Sequence, residues 1–315
     1  MPSAPVPASW IISEAFAGLQ AQALGLAEAA GLAPEMRVLR PKLPWRLVPA
    51  RFWPAPLAGV AREAIRAPLP GLVLGCGGVA AAVGSALRAP GRAVVHVQHP
   101  RMPLGRFDLV VVGRHDGLDG PNVLVARTAL HRVTPARLAA ARQAWAPALA
   151  HLPRPLVAVL VGGANGRFRL GLGEGRALAR DLAAMMRADR VGLALTPSRR
   201  TDPTVQRALA EALRPLGGWV WDGRGENPYF GLLALADAIV VTVDSVSMIS
   251  EAVATHAPVM LARLPGRSRR IGSFVADLLH AGRVRDFAGR LETWPVEPLD
   301  DTPAVAAEMR RRLAF

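Results

Sequence analysis

Short apolar runs alternate with longer stretches of helical periodicity along the whole chain. In the first half, apolar runs of strand length lie at residues 10–13, 36–39, 71–74, 93–97, 109–112 and 123–125. Helices are predicted at residues 18–30, 57–66 and 78–87, and a further helix, N-capped by Thr134, ends near residue 148. Strands that alternate with helices indicate a parallel sheet with right-handed crossovers.

The alternation restarts after residues 151–155, where two prolines separate apolar segments and mark a linker. Strands are then predicted at residues 156–161, 191–195, 219–221, 238–242 and 258–261. Helices are predicted at residues 175–187, 203–213, 229–235, 246–254 and 302–313. We therefore expect an α/β fold of two Rossmann-like domains with parallel sheets, residues 1–150 and 151–315, which face each other across a cleft.

The composition agrees with a folded protein of this size. The chain has 315 residues, of which 51% are hydrophobic and 20% charged, so two domains of about 150 residues can bury their cores. No apolar stretch reaches the length of a membrane-spanning helix, and the N-terminus lacks the pattern of a secretory signal. The single cysteine, Cys76, fits a reducing compartment. We expect a cytoplasmic protein that at most contacts the inner face of a membrane.

A formal net charge of +14 raises the question of nucleic acid or membrane binding. Lys42 is the one lysine, so the positive charge comes almost entirely from arginine. A high arginine content is also what a GC-rich genome would produce without any role in binding. Aromatic residues make up only 5% of the chain and do not interleave with basic runs, so specific nucleic-acid binding is not expected. The positive field attracts phosphates, an acidic partner or an anionic membrane without specifying one of them.

Polar loops follow several strands of the second half, at the edge where parallel α/β sheets bind ligands. Two of these loops supply backbone amides and arginine forks suited to phosphate oxygens. Their candidate residues are Gly162, Gly163 and Asn165 after the first strand, and Ser198, Arg199 and Arg200 after the second. The alternative for both loops is an ordinary tight or solvated turn.

The strongest local signal opens the helix predicted at residues 246–254. Hydroxyls and backbone amides gather there at the positive end of a helix dipole, from Asp244, Ser245, Ser247 and Met248. Glu251 shares a helix face with Ser247, where its carboxylate suits the hydroxyls of a ribose. The alternative is that Ser245 only caps the helix and that Glu251 lies on the surface.

The first half offers fewer candidates for chemistry. Glu14 is the carboxylate of the first strand-to-helix loop, and His115 with Asp116 is a possible base with its orienting carboxylate or else a polar turn. A G-x-G-x-x-A pattern spans residues 75–80, but no acidic residue ends the next strand, so NAD binding is not expected. The histidines near residue 98 lack the spacing of a metal site, and no cofactor is expected.

Several segments together resemble one known family over nearly the whole chain. They are Gly18 with Gln22, residues 24–28, 107–108, 115–116, 121–123, 162–163, 198–201, 227–229 and 236–252. The last two are the most specific, and the chain resembles the family of the plant mitochondrial fission factor named for elongated mitochondria. Residues 243–245 and 250–252 are also similar to the UDP-binding segment of UDP-N-acetylglucosamine 2-epimerases.

The resemblance implies a two-domain glycosyltransferase architecture, in which the C-terminal half holds a nucleotide diphosphate and the N-terminal half supplies acid–base groups. It adds Asn227 to the candidate nucleotide-binding residues, and it implies that the helix at residues 302–313 packs back on the first domain. The plant member is regarded as a recruiter of a dynamin-related protein, so the resemblance also allows a protein without catalysis.

The leading hypothesis is a metal-independent glycosyltransferase that binds a nucleotide-diphosphate sugar, of UDP type. Arg199, Arg200 and the helix start at residues 245–247 would stabilise the leaving diphosphate. Glu14 or the His115–Asp116 pair would deprotonate an acceptor. One alternative is a non-catalytic adaptor that binds a partner or a membrane through its arginine-rich surface or through residues 45–53. The other is an epimerase on the same scaffold.

Overall fold

The computed structural model describes residues 6–315, which form two compact units. The first unit contains the described residues up to Arg132 together with Asp300–Phe315, and the second contains Val133–Leu299. Each unit is built on one six-stranded sheet, and all the strand pairs in both sheets are parallel. The predicted fold class, α/β with two Rossmann-like domains, is confirmed.

The first sheet has apolar residues on both of its faces. Its strands are β1 (Ser9–Ser13), β2 (Glu35–Val38), β3 (Leu72–Cys76), β4 (Ala93–Val97), β5 (Leu109–Gly113) and β6 (Val123–Ala126). Their order is β2-β1-β3-β4-β5-β6, with helices α1 (Ala17–Ala29) and α2 (Gly78–Leu87) among the connections. Ile11 and Leu74 belong to one buried cluster, and their neighbours Ile12 and Val73 to another. Both faces are therefore covered, as parallel sheets require.

The segment between β2 and β3 differs from the prediction. The pattern predicts a helix over residues 57–66, but the structure has two short 3-10 turns, Pro56–Gly59 and Arg62–Ile65. The Gly59 carbonyl oxygen accepts a hydrogen bond from the Lys42 N–H at 2.8 Å, which takes it away from any helical N–H. The Trp53 ring also lies against Gly59, where a Cβ would overlap it. Val60 pairs with Pro41 and is extended, with φ −123° and ψ 166°, which interrupts the predicted helix.

The second sheet has the strand order of a doubly wound nucleotide-binding fold. Its strands are β7 (Leu156–Val161), β8 (Gly192–Pro197), β9 (Trp219–Val220), β10 (Ala238–Thr242), β11 (Val259–Ala262) and β12 (Val284–Asp286). Its helices are α3 (Pro135–Leu149), α4 (Leu172–Asp189), α5 (Pro203–Leu213), α6 (Tyr229–Leu235), α7 (Val246–Val253) and α8 (Arg269–His280). The strands lie in the order β12-β11-β10-β7-β8-β9. Helix α8 and strand β12 have no counterpart in the prediction.

The boundary between the units lies before α3 rather than at residues 151–155. Helix α3 packs against α6 of the second unit, and the Trp145 ring lies against Gly231, where a Cβ would overlap it. Trp145 also meets Trp219 edge to face, with ring centroids 6.3 Å apart. Because its apolar side chains pack against the second unit, α3 is part of that unit.

The C-terminal helix α9 (Thr302–Leu313) packs on α1 and completes the core of the first unit. Val305, Ala306 and Met309 are buried in the same cluster as Ile11. The carboxylate of Asp301 accepts hydrogen bonds from the Arg127 backbone N–H at 2.6 Å and from its guanidinium at 2.5 Å. The expected return of this helix to the first domain is confirmed.

Among residues 6–315, no helix combines the length with the apolar character that a membrane crossing needs.

Replacement of Met309 tests the contribution of α9 to the first unit. Met309 has no exposed surface, and truncation of a buried methionine leaves a cavity that costs about 2–5 kcal/mol. We expect Met309→Ala to lower the free energy of unfolding in urea by an amount in this range. The neighbouring Arg311→Ala, at an exposed position on the same helix, should change it by less than about 0.5 kcal/mol. Equal stabilities of the two variants would contradict the role of α9.

Candidate functional site

Three predicted loops meet at the carboxyl edge of the second sheet. The strand order reverses between β7 and β10, which are neighbours in the sheet, and ligands of such folds bind at this switch point. The loops after β7 and β10 therefore leave the sheet side by side, and the loop after β8 lies next to them. The segments beginning at Gly162, Ser198 and Asp244 are thus brought together.

The buried carboxylate of Asp244 joins these loops. It accepts hydrogen bonds from the Gly163 N–H at 3.1 Å, the Thr242 hydroxyl at 2.7 Å and the Arg200 guanidinium at 2.9 Å. The Asp244 side chain has no exposed surface, whereas 43% of the Arg200 side chain is exposed. A buried carboxylate is stable only when donors surround it, so the site depends on this set of contacts.

Gly162 and Gly163 have a different role from the predicted amide cradle. The Gly162 N–H donates to the Thr242 hydroxyl at 2.7 Å, and the Gly163 N–H donates to Asp244. A Cβ at Gly162 would overlap the Asp244 carboxylate, and one at Gly163 would overlap the Arg200 carbonyl. Both N–H groups are therefore engaged within the protein, and the glycines are needed because the loops approach so closely.

The two adjacent arginines differ in their availability to a ligand. Arg200 donates to the Gly163 carbonyl oxygen at 2.8 Å as well as to Asp244, so it holds the loops together. Arg199 is exposed, and its guanidinium makes no hydrogen bond or ion pair to any described residue. The Ser198 hydroxyl lies 3.1 Å from the Thr201 hydroxyl and accepts the Arg200 N–H. Arg199 is consequently the member of this loop that can reach a phosphate.

Helix α7 presents its N-terminus at the same edge. The Ser245 hydroxyl accepts the Met248 N–H at 3.3 Å, so Ser245 is the N-cap. Val246 and Ser247 are the first two helical residues, and backbone N–H groups point outwards at this end of a helix. The dipole places partial positive charge there, which favours an anion.

Glu251 is held in place by Tyr229. Glu251 is 8% exposed, and its Oε2 accepts the Tyr229 hydroxyl at 2.5 Å. Burial and the neighbouring Glu251 carboxylate both raise the pKa of Tyr229 well above its ordinary value, so the hydroxyl keeps its proton and donates. The alternative of a surface carboxylate is therefore wrong. Sequence analysis did not single out Tyr229 as a site residue, although it is the one tyrosine of the chain.

Two predicted asparagines serve the local backbone. The Asn227 side chain accepts the Tyr229 N–H at 3.0 Å at the start of α6, which helps to position the tyrosine. The Asn165 amide donates to the Asp244 carbonyl oxygen at 2.9 Å, and its oxygen accepts the Phe168 N–H at 3.0 Å. Both side chains therefore stabilise the backbone of their own loops.

The other end of α7 is fixed by a buried arginine outside the predicted set. Arg283 is 5% exposed and donates to the carbonyl oxygens of Val253, Thr255 and Ala257. Burial lowers its pKa to about 10, which still leaves it charged at neutral pH. Carbonyl groups at a helix C-terminus lack partners within the helix, so Arg283 anchors the helix that carries Glu251.

A cavity of about 550 Å³ opens beyond β10 and β11, next to the Asp244 loop. Its apolar lining includes Phe168, Val243 and Ile271, and Arg267 and Arg269 lie at its border where α8 begins. Their guanidinium groups contact no acceptor in the part of the chain that the structure describes. Sequence analysis missed this loop, although Ser268 and the apolar spacing after it signal a helix start.

In the first unit, Glu14 lies at the switch point of its own sheet. It follows β1, and Gly77 and Gly78 follow the adjacent β3. Its carboxylate accepts the Val79 N–H at 3.4 Å at the start of α2, where the dinucleotide fingerprint would place a diphosphate. Burial raises the pKa of Glu14, and the hydrogen bond from Val79 opposes this only in part. A raised pKa suits a group that exchanges protons near neutral pH.

The His115–Asp116 pair lies apart from Glu14. It forms a short turn after β5, which is three strand positions from β1, or about 14 Å at the usual strand spacing. Asp116 accepts the Gly113 N–H at 3.3 Å, and the His115 ring lies where a Cβ of Gly113 would be. The strand ends of the two candidates are thus well separated.

The remaining histidines and acidic residues do not form a metal site within residues 6–315. His96 is enclosed on β4 beside Phe107, with ring centroids 5.4 Å apart. Burial lowers its pKa to about 3, so it stays neutral at physiological pH.

Neutralising Asp244 tests its role in joining the loops. Asp244→Asn keeps the size of the side chain but removes the charge that faces Arg200, and hydrogen bonds to charged groups contribute about 1.5–3 kcal/mol each. We expect urea denaturation to show a free energy of unfolding lower by about 1–3 kcal/mol. Asp277→Asn, at an exposed position of the same unit, is the control and should match the wild type. An unchanged stability of Asp244→Asn would show that the loops are held by other contacts.

The raised pKa of Glu14 predicts a pH-dependent effect on stability. The folded state binds this proton more tightly than the unfolded state, so the ionised group lowers stability as pH rises above the ordinary glutamate pKa. We expect Glu14→Gln to melt at a higher temperature than the wild type at pH 7, with the difference vanishing near pH 4. Glu63→Gln, in an exposed turn of the same unit, is the matched control. A difference that does not change with pH would contradict the role of burial.

Sequence comparisons match the chain to a family named for mitochondrial fission. Residues 17–313 match the family model described as mitochondrial fission ELM1. The chain is 33% identical over 291 residues to the mitochondrial fission protein ELM1 of Arabidopsis thaliana, covering 82% of this chain and 67% of that one. It is 24% identical over 253 residues to an uncharacterized protein of Rickettsia prowazekii, covering 68% and 71% of the two chains.

Solved structures with a similar fold include a UDP-GlcNAc 2-epimerase, a glycosyltransferase and MurG. The UDP-GlcNAc 2-epimerase of Methanocaldococcus jannaschii superposes with a TM-score of 0.59 at 11% identity, over 98% of this chain and 99% of that one. The glycosyltransferase SnogD of Streptomyces nogalater gives 0.53 at 14% identity, over 98% and 95%. MurG of Acinetobacter baumannii gives 0.51 at 16% identity, over 98% and 91%.

At such identities the structural likeness concerns the fold, which is that of the two-domain glycosyltransferases called GT-B. The family model, in contrast, spans nearly the whole sequence. The chain therefore belongs to the mitochondrial fission ELM1 family.

Proposed function

We propose that this protein binds a nucleotide-diphosphate sugar, of UDP type, in its second unit and acts as a glycosyltransferase. The observation that carries the proposal is the position of Glu251, a buried carboxylate one turn into α7 that is oriented by Tyr229. An anion-binding helix start followed by an oriented carboxylate is the combination that a diphosphate joined to a ribose requires.

The diphosphate would lie at the start of α7. The N–H groups of the first helical turn and the helix dipole favour its negative charge, and Arg199 supplies a guanidinium without competing protein acceptors among the described residues. As the bond between the sugar and the diphosphate breaks, negative charge accumulates on the leaving phosphate. The same groups would stabilise it most strongly at that moment.

The ribose would be held by Glu251. A carboxylate offers about four acceptor positions, so Glu251 can accept the Tyr229 hydroxyl and ribose hydroxyls together. Tyr229 fixes the rotamer of the carboxylate, which lowers the entropy lost when the nucleotide binds.

The sugar would enter the cavity beside Val243. Its volume of about 550 Å³ lies within the range of small-molecule sites, about 300–1,000 Å³. Arg267 and Arg269 at its border can donate hydrogen bonds to sugar oxygens.

The transfer step needs a base for the acceptor hydroxyl. In this step the acceptor oxygen forms a bond to the anomeric carbon, the bond from that carbon to the diphosphate breaks, and the acceptor proton passes to a base. Glu14 is the preferred candidate because burial raises its pKa towards the working range. The His115–Asp116 turn is the alternative base.

A second candidate function is an adaptor that binds the nucleotide, or none, without transferring a sugar. The 33% identity to a protein named for mitochondrial fission favours it. Nucleotide affinity separates a binding protein from one that lacks the site. Radioactive transfer from a bound UDP-sugar to extracted lipids or glycans separates the enzyme from the adaptor.

Calorimetric titration with UDP, GDP, CDP and inorganic pyrophosphate tests the nucleotide site. Glu251→Gln keeps an acceptor for Tyr229 but loses charge-assisted hydrogen bonds to ribose, each of about 1.5–3 kcal/mol. We expect the preferred nucleotide to bind about ten- to hundredfold more weakly to this variant, while pyrophosphate, which has no ribose, binds unchanged. Arg199→Ala should weaken both ligands.

Arg180→Ala, at an exposed position on α4, is the control for loss of a positive charge and should bind both ligands like the wild type. Tyr229→Phe should reproduce a smaller part of the Glu251→Gln effect. Equal nucleotide affinities of the wild type and Glu251→Gln would contradict the ribose assignment. A wild type that binds none of the three nucleotides would overturn the proposal.

A further inference from the structure

Exposed apolar side chains concentrate in one segment of the first unit. Residues 40–52 follow strand β2 and contain four of the nine large apolar side chains that are exposed among the described residues. These four are Leu43, Leu47, Val48 and Phe52. Leu47 is 76% exposed, Leu43 65% and Phe52 62%. Scattered exposed apolar residues need no explanation, but a local concentration marks an interaction surface.

The segment is held by its own Trp45 and by Trp53, the residue that follows it. Trp53 is buried, and its indole N–H donates to the carbonyl oxygens of Trp45 at 3.1 Å and Val48 at 2.9 Å. The two indole rings meet edge to face with centroids 5.6 Å apart. Sequence analysis considered residues 45–53 as a binding segment, and its aromatic pair turns out to be the anchor. The apolar side chains that reach solvent are those of the two leucines, Val48 and Phe52.

Basic residues alternate with these apolar side chains. Arg40, Lys42, Arg46 and Arg51 are all exposed, and the sequence has no Asp or Glu between residues 36 and 62. None of the four forms an ion pair within residues 6–315. The Arg51 guanidinium lies over the Phe52 ring, 4.6 Å from its centroid, so cationic and apolar groups share one patch.

We propose that residues 40–52 dock the protein on the surface of an anionic lipid bilayer. In this arrangement the leucines and Phe52 insert at the level of the headgroups and upper acyl chains, and the basic side chains contact lipid phosphates. Segments that lie on membrane surfaces combine Lys and Arg with Leu and Phe side chains, and here a cation directly precedes three of the four exposed apolar residues in the sequence. This intermixing fits the boundary between water and lipid better than it fits a protein partner.

The geometry of the segment favours docking without folding. Its two short 3-10 turns, Trp45–Leu47 and Ala50–Phe52, are already formed, and the Lys42 N–H is bonded to the Gly59 carbonyl oxygen at 2.8 Å. Because the backbone is ordered before binding, little conformational entropy is lost when the side chains insert. The segment belongs to the first unit, and the proposed nucleotide site belongs to the second.

Vesicle co-sedimentation of the full chain tests the proposal. The wild type should sediment with vesicles of phosphatidylcholine mixed with phosphatidylglycerol, and much less with phosphatidylcholine alone. Leu47→Ser with Phe52→Ser removes the inserted side chains and should abolish most of the binding. Lys42→Gln with Arg46→Gln and Arg51→Gln should weaken it about hundredfold, at about fivefold for each basic residue.

Two matched variants control for general changes of surface character. Val125→Ser with Leu172→Ser removes two exposed apolar side chains elsewhere, and Arg106→Gln with Arg180→Gln and Arg207→Gln removes the same charge from other exposed positions. Both should bind vesicles like the wild type. Thermal melting should show that all variants remain folded, because the replaced side chains are exposed.

Three results would overturn the proposal. They are a wild type that does not bind anionic vesicles, segment variants that bind as well as their matched controls, and wild-type binding to polyglutamate but not to vesicles. The last would assign the segment to an acidic protein partner. Loss of vesicle binding by the segment variants, with unchanged nucleotide affinity, would support the docking surface. Loss of nucleotide affinity with unchanged vesicle binding would concern the nucleotide site and not this surface.

Discussion

A carboxylate without exposed surface lies where three loops meet at the carboxyl edge of the second sheet, and these loops are arranged to stabilise its charge. Asp244 receives a backbone N–H, a hydroxyl and a guanidinium from three different segments. A buried charge without such donors would be prohibitively unstable. This requirement explains why the loops approach so closely and why glycines stand at the two points of contact. It also explains why Arg200 binds protein groups rather than facing a ligand.

This arrangement separates the groups that build the site from those that can meet a ligand. Arg199 and Arg200 are neighbours in the sequence, yet one is directed to the solvent and the other is bonded to Asp244 and Gly163. At the next loop, Ser245 caps α7 and leaves the positive end of the helix as the feature offered to an anion. An ordered protein frame around a few exposed groups lets a site discriminate between ligands without rearranging.

The fold was largely predictable because strand–helix alternation reports directly on parallel sheets, and the loops of the site were predictable because ligand loops follow strand ends. The errors have local causes. The helix predicted over residues 57–66 is interrupted at Val60, which is extended and pairs with Pro41. Helix α8 was missed although Ile271, Phe274, Val275 and Leu278 have helical spacing. The pairing of Tyr229 with Glu251, and the internal use of the Gly162 and Gly163 N–H groups, depend on side-chain positions that no spacing rule encodes.

The packing of α9 on α1 has a consequence for the order in which the chain acquires structure during translation. The first unit is assembled from two stretches separated by the entire second unit, and its core lacks Val305, Ala306 and Met309 until residues beyond Leu299 have left the ribosome. The second unit is continuous, so all of its strands emerge earlier. Domains commonly fold from the N-terminus onwards during synthesis. In this topology the second unit can complete its fold before the first, because the first unit needs α9 from the end of the chain.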